Sequence, residues 1–157
     1  MLRQLNLKPN NKVKKETDWQ ISEWAKCRKY PLYFILNYCY LEETGNKVKY
    51  TEDLMHSKLR RVVNATVTYH SCIFMASRQL GKSSISACLL AWAMVFYPRI
   101  YIIILNFEKK AGYGNLNKIK FIMHNLPDWM KVPLSSKSEL KTSIELQNSS
   151  KCQIYYP

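Results

Sequence analysis

Residues 77–84, Ser77-Arg78-Gln79-Leu80-Gly81-Lys82-Ser83-Ser84, bring a glycine, an ammonium group and hydroxyls into one short stretch. The apolar run Cys72-Ile73-Phe74-Met75-Ala76 leads into it. After it, Ile85, Cys88, Leu89, Trp92 and Phe96 recur at the spacing of one helix face. The expected arrangement is a strand, a tight turn and a helix start. Such a turn aims several backbone N–H groups at one small volume, at the positive end of the helix. Triphosphate is the ligand that suits it. Lys82 is expected on the β- and γ-phosphates and Ser83 on Mg²⁺. The N–H groups from Leu80 to Ser84 are expected to cradle the phosphates, with Ser77 and Gln79 completing the loop. Arg78 has two readings: a guanidinium against the γ-phosphate, an internal counterpart of an arginine finger, or a solvent-facing loop cation.

The usual phosphate-loop pattern is G-x-x-x-x-G-K-[ST]. Gly81, Lys82 and Ser83 fit it, and Ala76 stands where the first glycine would be. That substitution costs something only if the position needs a positive φ. Gly-Lys-Ser alone is a weak signal, and its position between an apolar run and a helical pattern strengthens it.

The elements around the loop follow from periodicity. Residues 1–16 have none and read as a basic disordered arm. Asp18 is expected to cap a helix over residues 19–29 with Trp19, Ile21, Trp24 and Cys27 on its apolar side, ended by Pro31. Residues 32–41 form a second, aromatic helical piece, 48–50 a short strand and 54–63 a basic helix. Residues 67–76 and 99–105 read as buried strands. Helices are expected over 83–96 and 115–125, the latter burying Leu116, Ile119, Ile122 and Met123, with Gly112-Tyr113-Gly114 in the loop before it. Residues 141–147 and 151–156 read as a hairpin around Asn148-Ser149-Ser150. Strands alternating with helices predict an α/β fold with a parallel sheet. The division expected is 1–16 arm, 17–66 helical and aromatic entry segment, and 67–157 a partial phosphate-loop core ending in the hairpin.

A formal net charge of +13 fits either contact with a polyanion, nucleic acid foremost, or a solvated lysine-rich surface. The cysteines number five, an odd count without a C-x-x-C pair, as in a reduced intracellular protein. The N-terminus has no apolar signal segment, and residues 87–97 are too short to span a bilayer. His70 and Cys72 are too few for a zinc site.

The loop sequence Ser-Arg-Gln-Leu-Gly-Lys-Ser-Ser resembles the phosphate loop of the large subunit of tailed-phage terminases, the T4-like type in particular. Leu126-Pro127-Asp128-Trp129-Met130 resembles the segment after that family's second helix. Residues 143–150, Ser-Ile-Glu-Leu-Gln-Asn-Ser-Ser, resemble its S-I-E-L-x-N-G-S hairpin, and residues 24–40 its aromatic entry segment. Together the resemblance spans most of residues 19–157. It implies the N-terminal part of an ATP-driven motor that packages double-stranded DNA into capsids in the host-cell cytoplasm. Its implied partners are the portal or procapsid, the small terminase subunit and further copies of the same chain. It also implies ATP and Mg²⁺ as ligands of Lys82 and Ser83, and Arg78 as the catalytic finger in cis.

Three departures limit that expectation, one of them Gly112-Tyr113-Gly114, whose glycines interrupt a helix start unless they lie in the loop before Asn115. The stretch 54–59 lacks the adenine-reading Gln of the family, with His56 as a stacking substitute or an ordinary surface histidine. No apolar run ending in Asp-Glu follows Lys151, so the Mg²⁺-orienting and water-activating carboxylates and the family's nuclease domain lie outside this sequence. A missing general base alone costs about 10²–10⁴-fold in rate. The chain is therefore expected to bind ATP–Mg²⁺ and hydrolyse it little, with a strand of the partial sheet left as an open edge. The competing readings are a non-catalytic nucleic-acid-binding or interaction module built on the positive charge, and a different phosphate-loop ATPase such as a helicase.

Overall fold

The computed structural model describes residues 17–53, 55–75, 77, 80–135 and 142–156. Among these residues the chain is a mixed α/β structure with five helices and two small sheets. The basic arm, residues 1–16, lies outside the described residues.

The entry segment folds as two helices and a hairpin. Helix α1 (Asp18–Lys29) is capped by Thr17, not Asp18. The Thr17 hydroxyl accepts from the Gln20 N–H, and the Gln20 side chain accepts from the Thr17 N–H, a reciprocal capping box. Pro31 ends α1 as expected and also opens α2 (Pro31–Tyr38) at its first turn, where a missing N–H costs nothing. The expected second helix stops there, because Tyr40 onward pairs as strand β1 (Tyr40–Glu43) with β2 (Asn46–Lys49). Thr44 and Gly45 both have positive φ, as a two-residue hairpin turn demands. Helix α3 (Ser57–Thr68) follows, longer than expected, and it runs across the boundary placed at residue 66.

Glu23 on α1 is buried, and one carboxylate oxygen accepts from both Tyr33 Oη and Tyr38 Oη at 2.7 Å. Burial pushes its carboxyl up, but the two phenol hydrogen bonds and Lys26 together outweigh this and hold it below the ordinary value of 4.5. A lowered folded-state value contributes stability above the unfolded pKa, and that contribution is lost as pH falls through the folded value. Acid titration of the melting temperature from about pH 7 to about pH 3.5 should therefore destabilise wild type more than Glu23→Gln. Parallel curves would show that the carboxylate charge contributes nothing.

Helix α4 (Lys82–Phe96) is the centre of the fold. The spacing predicts one apolar face, yet Ala87, Ala91, Met94 and Val95 are buried as well, so α4 is covered on most sides. Trp24 and Phe34 pack edge-on against Phe96, and Trp92 Nε1 donates to the Cys27 carbonyl at 2.9 Å. Strand β3 (Tyr101–Leu105) follows, then helix α5 (Lys109–His124), which starts six residues earlier than expected and takes Gly112 and Gly114 inside it. Its buried residues include the four predicted ones and Gly112. The hairpin is present as β4 (Ser143–Glu145) and β5 (Lys151–Tyr155), antiparallel, with β5 parallel to β3 in the order β3-β5-β4. Its turn is tied to the end of α4: Asn148 Nδ2 donates to the Met94 carbonyl, and Ser150 Oγ to the Tyr97 carbonyl.

Two strand expectations are corrected. Val67 and Thr68 belong to α3, and residues 69–75 form no strand. An apolar run becomes a buried strand only between neighbours that pair with it and cover both faces. The described sheet offers 69–75 none, so Ile73 is 94% exposed and Met75 89%. Strand β3 is covered on one face only: Ile102 and Ile104 pack inward, whereas Tyr101, Ile103 and Leu105 are exposed. It is also an edge strand, as expected for a partial sheet. No helix among the described residues is long and apolar enough to cross a membrane.

Candidate functional site

The site is the N-terminus of α4. Gly81 caps the helix in the left-handed conformation, φ 79°, and its carbonyl accepts from the N–H groups of Ser84 and Ile85. That backbone sign is why a glycine is needed here. No side chain caps this helix start. The leading N–H groups of a helix lack intrahelical partners, and with the helix dipole they favour an anion. Lys82 and Ser83 are the first two helical residues, with Ser84 next, so the structure places the Gly-Lys-Ser triplet at the helix end as expected. Leu80 is half-buried against the core and Ser77 is exposed. Arg78 and Gln79 lie outside the described residues, as does Ala76.

Helix α5 brings in a residue that the spacing could not reveal. Lys118 Nζ donates to Ser83 Oγ at 2.7 Å. Ser83 is the residue expected to ligate Mg²⁺. Here its oxygen accepts from the Lys118 ammonium group and keeps a second lone pair. Beside this contact is a cavity of about 410 Å³, lined by Glu42 and Glu43 of β1, Ser84 of α4, and Asn117 and Lys118 of α5, among others.

Tyr50 is the second unforeseen residue. It follows β2 and is only 3% exposed. Its hydroxyl makes no hydrogen bond. A methyl group built on Gly81 would lie 3.9 Å from that hydroxyl and 3.6 Å from Leu59 Cδ1. Burial pushes the Tyr50 phenol up to about 12, with smaller contributions from Cys88 and Cys39, so it remains a proton donor near neutral pH. An unpaired buried hydroxyl costs about 1–3 kcal/mol.

His56, considered as an adenine contact, caps α3: its Nδ1 accepts from the Lys58 N–H at 3.2 Å. The acidic residues near apolar runs lie away from the loop in sequence. Glu108 is the N-cap residue of α5 and Glu145 lies in β4. No group of three or more His, Cys, Asp or Glu side chains able to hold a metal occurs among the described residues. Comparison with protein-family models gives no match, and a search of curated proteins gives none either.

Proposed function

We propose that the chain binds ATP through the loop at the N-terminus of α4, as the nucleotide-binding part of a DNA-packaging motor of the terminase large-subunit type. The observation that carries this reading is Gly81-Lys82-Ser83 at the start of a central, buried helix, with Gly81 in the left-handed conformation. The resemblance of residues 77–84, 126–130 and 143–150 to that family supports the motor assignment. So does the hairpin formed by β4 and β5. Under this reading the fold is a partial phosphate-loop core, and Arg78 acts as the finger in cis. Its partners are double-stranded DNA, the portal or procapsid, the small terminase subunit and further copies of the chain, and it works in the host-cell cytoplasm. Ser83 would hold the Mg²⁺ that accompanies the nucleotide.

Calorimetric titration with ATP tests it. Lys82→Ala should weaken binding about 10–100-fold, the loss of one charge-assisted contact. Equal binding by wild type and variant would sink the site assignment. The net charge of +13 favours a second reading, a nucleic-acid-binding module without nucleotide dependence. That reading predicts DNA binding that falls steeply with salt and is indifferent to both ATP and Lys82.

A further inference from the structure

We propose that residues 70–75 of one copy add as a strand to the open edge of β3 in a second copy, and that the chain self-associates by this pairing. Neither Lys82 nor Ser83 takes part, so the pairing stands or falls apart from nucleotide binding.

Among the described residues, strand β3 pairs with β5 on one side only, which leaves the backbone N–H and C=O groups of its other side open. Folded proteins guard such an edge with a charge, a proline, a bulge or a covering element. Tyr101-Ile102-Ile103-Ile104-Leu105 carries no charge and no proline, and the apolar stretch continues at Phe107, which is almost fully exposed. Its side chains are apolar on both faces: Ile102 and Ile104 pack inward, and Ile103 and Leu105 are 53% and 74% exposed. Beside them is a hollow of about 610 Å³ lined by Ile103, Leu105, Phe107, Tyr155 and Tyr156, among others. A strand added here needs apolar residues at successive positions. One set of alternate side chains joins Ile102 and Ile104, and the other joins Ile103 and Leu105.

The same chain holds a segment of that kind. Residues 70–75, His-Ser-Cys-Ile-Phe-Met, are apolar at four successive positions and include the β-branched and aromatic types that strands favour. Among the described residues their backbone makes no hydrogen bond. In a strand, Ile73 and Met75 share one face and Cys72 and Phe74 the other, which matches the two apolar faces of β3. In its own copy the segment lies along α3: Cys72 Sγ donates to the Ala65 carbonyl at 3.4 Å, and Cys72, Ile73 and Phe74 line a hollow with Lys58, Arg61 and Val62 of that helix. Ile73 and Met75 nevertheless stand almost wholly in solvent, open to a second copy. Each chain thus carries an unpaired edge and an unpaired segment. Two copies that exchange them satisfy both, and a reciprocal exchange closes as a two-fold dimer. The net charge of +13 on each copy opposes association, and salt screens that repulsion. The pairing is therefore favoured as ionic strength rises, opposite to contact with nucleic acid.

Sedimentation of the full chain at about 10–100 μM, in about 0.1 M and about 1 M salt, tests the pairing. Wild type should shift from monomer toward dimer as concentration rises, and further at high salt. Ile103→Lys puts a charge on the edge and Ile73→Lys puts one on the segment. Each should weaken self-association about tenfold or more. Mixed in equal amounts, the two variants should pair with each other, because the first keeps its segment and the second keeps its edge. Both residues are more than half exposed, so thermal melts of the variants should match that of monomeric wild type. Leu105→Lys repeats the edge test where Ile103→Lys melts early. A monomer at every concentration and salt overturns the proposal. So does association that Ile73→Lys leaves intact, the mark of two β3 edges pairing directly. Variants that stay apart when mixed show unspecific apolar contact and overturn it too. Association abolished by nuclease is bridging by nucleic acid, with the same consequence.

Discussion

Phe34→Ala should lower the unfolding free energy by about 3–5 kcal/mol, measured by urea denaturation. Phe34 is fully buried on α2. Its ring meets Phe96 of α4 edge-on at 5.3 Å and stacks with Tyr38 at 6.4 Å. Truncation removes the transfer energy of the ring and leaves a cavity that rigid helices cannot close. A domain of this size has about 5–15 kcal/mol in total, so the variant loses a large share of its stability. Because Phe34 lies in the entry segment and Phe96 at the C-terminal end of α4, the transition should remain single and cooperative. The urea slope should stay unchanged, since the same surface is exposed. A loss below about 1 kcal/mol, or a second transition, would mean that the entry helices and α4 do not share a core. The proposed nucleotide site lies at the opposite end of α4, so folded variant should bind ligand as wild type does.

What could be read from the sequence was local. Helix α4 was legible because its apolar residues recur on nearly every turn and a glycine precedes it. The β4–β5 hairpin was legible because turn residues separate two alternating stretches. The buried residues of α5 were read correctly from their 3.6-residue period, but its start was not. Gly112 and Gly114 read as loop residues on propensity, and packing overrides propensity. Residues 69–75 failed for a different reason. Their composition suits a buried strand, but strand formation depends on a pairing partner elsewhere in the chain, and composition does not carry that information. The same non-locality hid half of the candidate site. Lys118 lies 35 residues from Ser83 and meets it only through the packing of α4 on α5. Tyr50 precedes the loop by a whole helix and is distinguished by its missing hydrogen bond, a property of the folded state.

The two glycines of α5 should respond to substitution with opposite signs. A methyl group at Gly112 would lie 2.8 Å from Ile154 Cγ2, 3.0 Å from Tyr156 Oη and 3.2 Å from Tyr156 Cε1. Ile154 is buried on β5 and its branched side chain is stiff, so the helix must move off the sheet. Gly112→Val should cost about 3 kcal/mol by overpacking, and Gly112→Ala less, because Ala regains about 1 kcal/mol of helix propensity. At Gly114 nothing lies within 4 Å of the same methyl group. Gly114→Ala should therefore stabilise by about 0.8–1 kcal/mol. Denaturant titration of the three variants decides the matter. Stabilisation by both alanines would show that Gly112 is not needed for the close approach of α5 to β5. Lys118 is six residues further along the same helix, about 9 Å away, and its ammonium meets Ser83 of the proposed site. Pushing α5 off β5 moves the ammonium relative to Ser83. Gly112→Val should thus weaken ATP binding at the proposed site even at temperatures where it is fully folded, and Gly114→Ala should leave it unchanged.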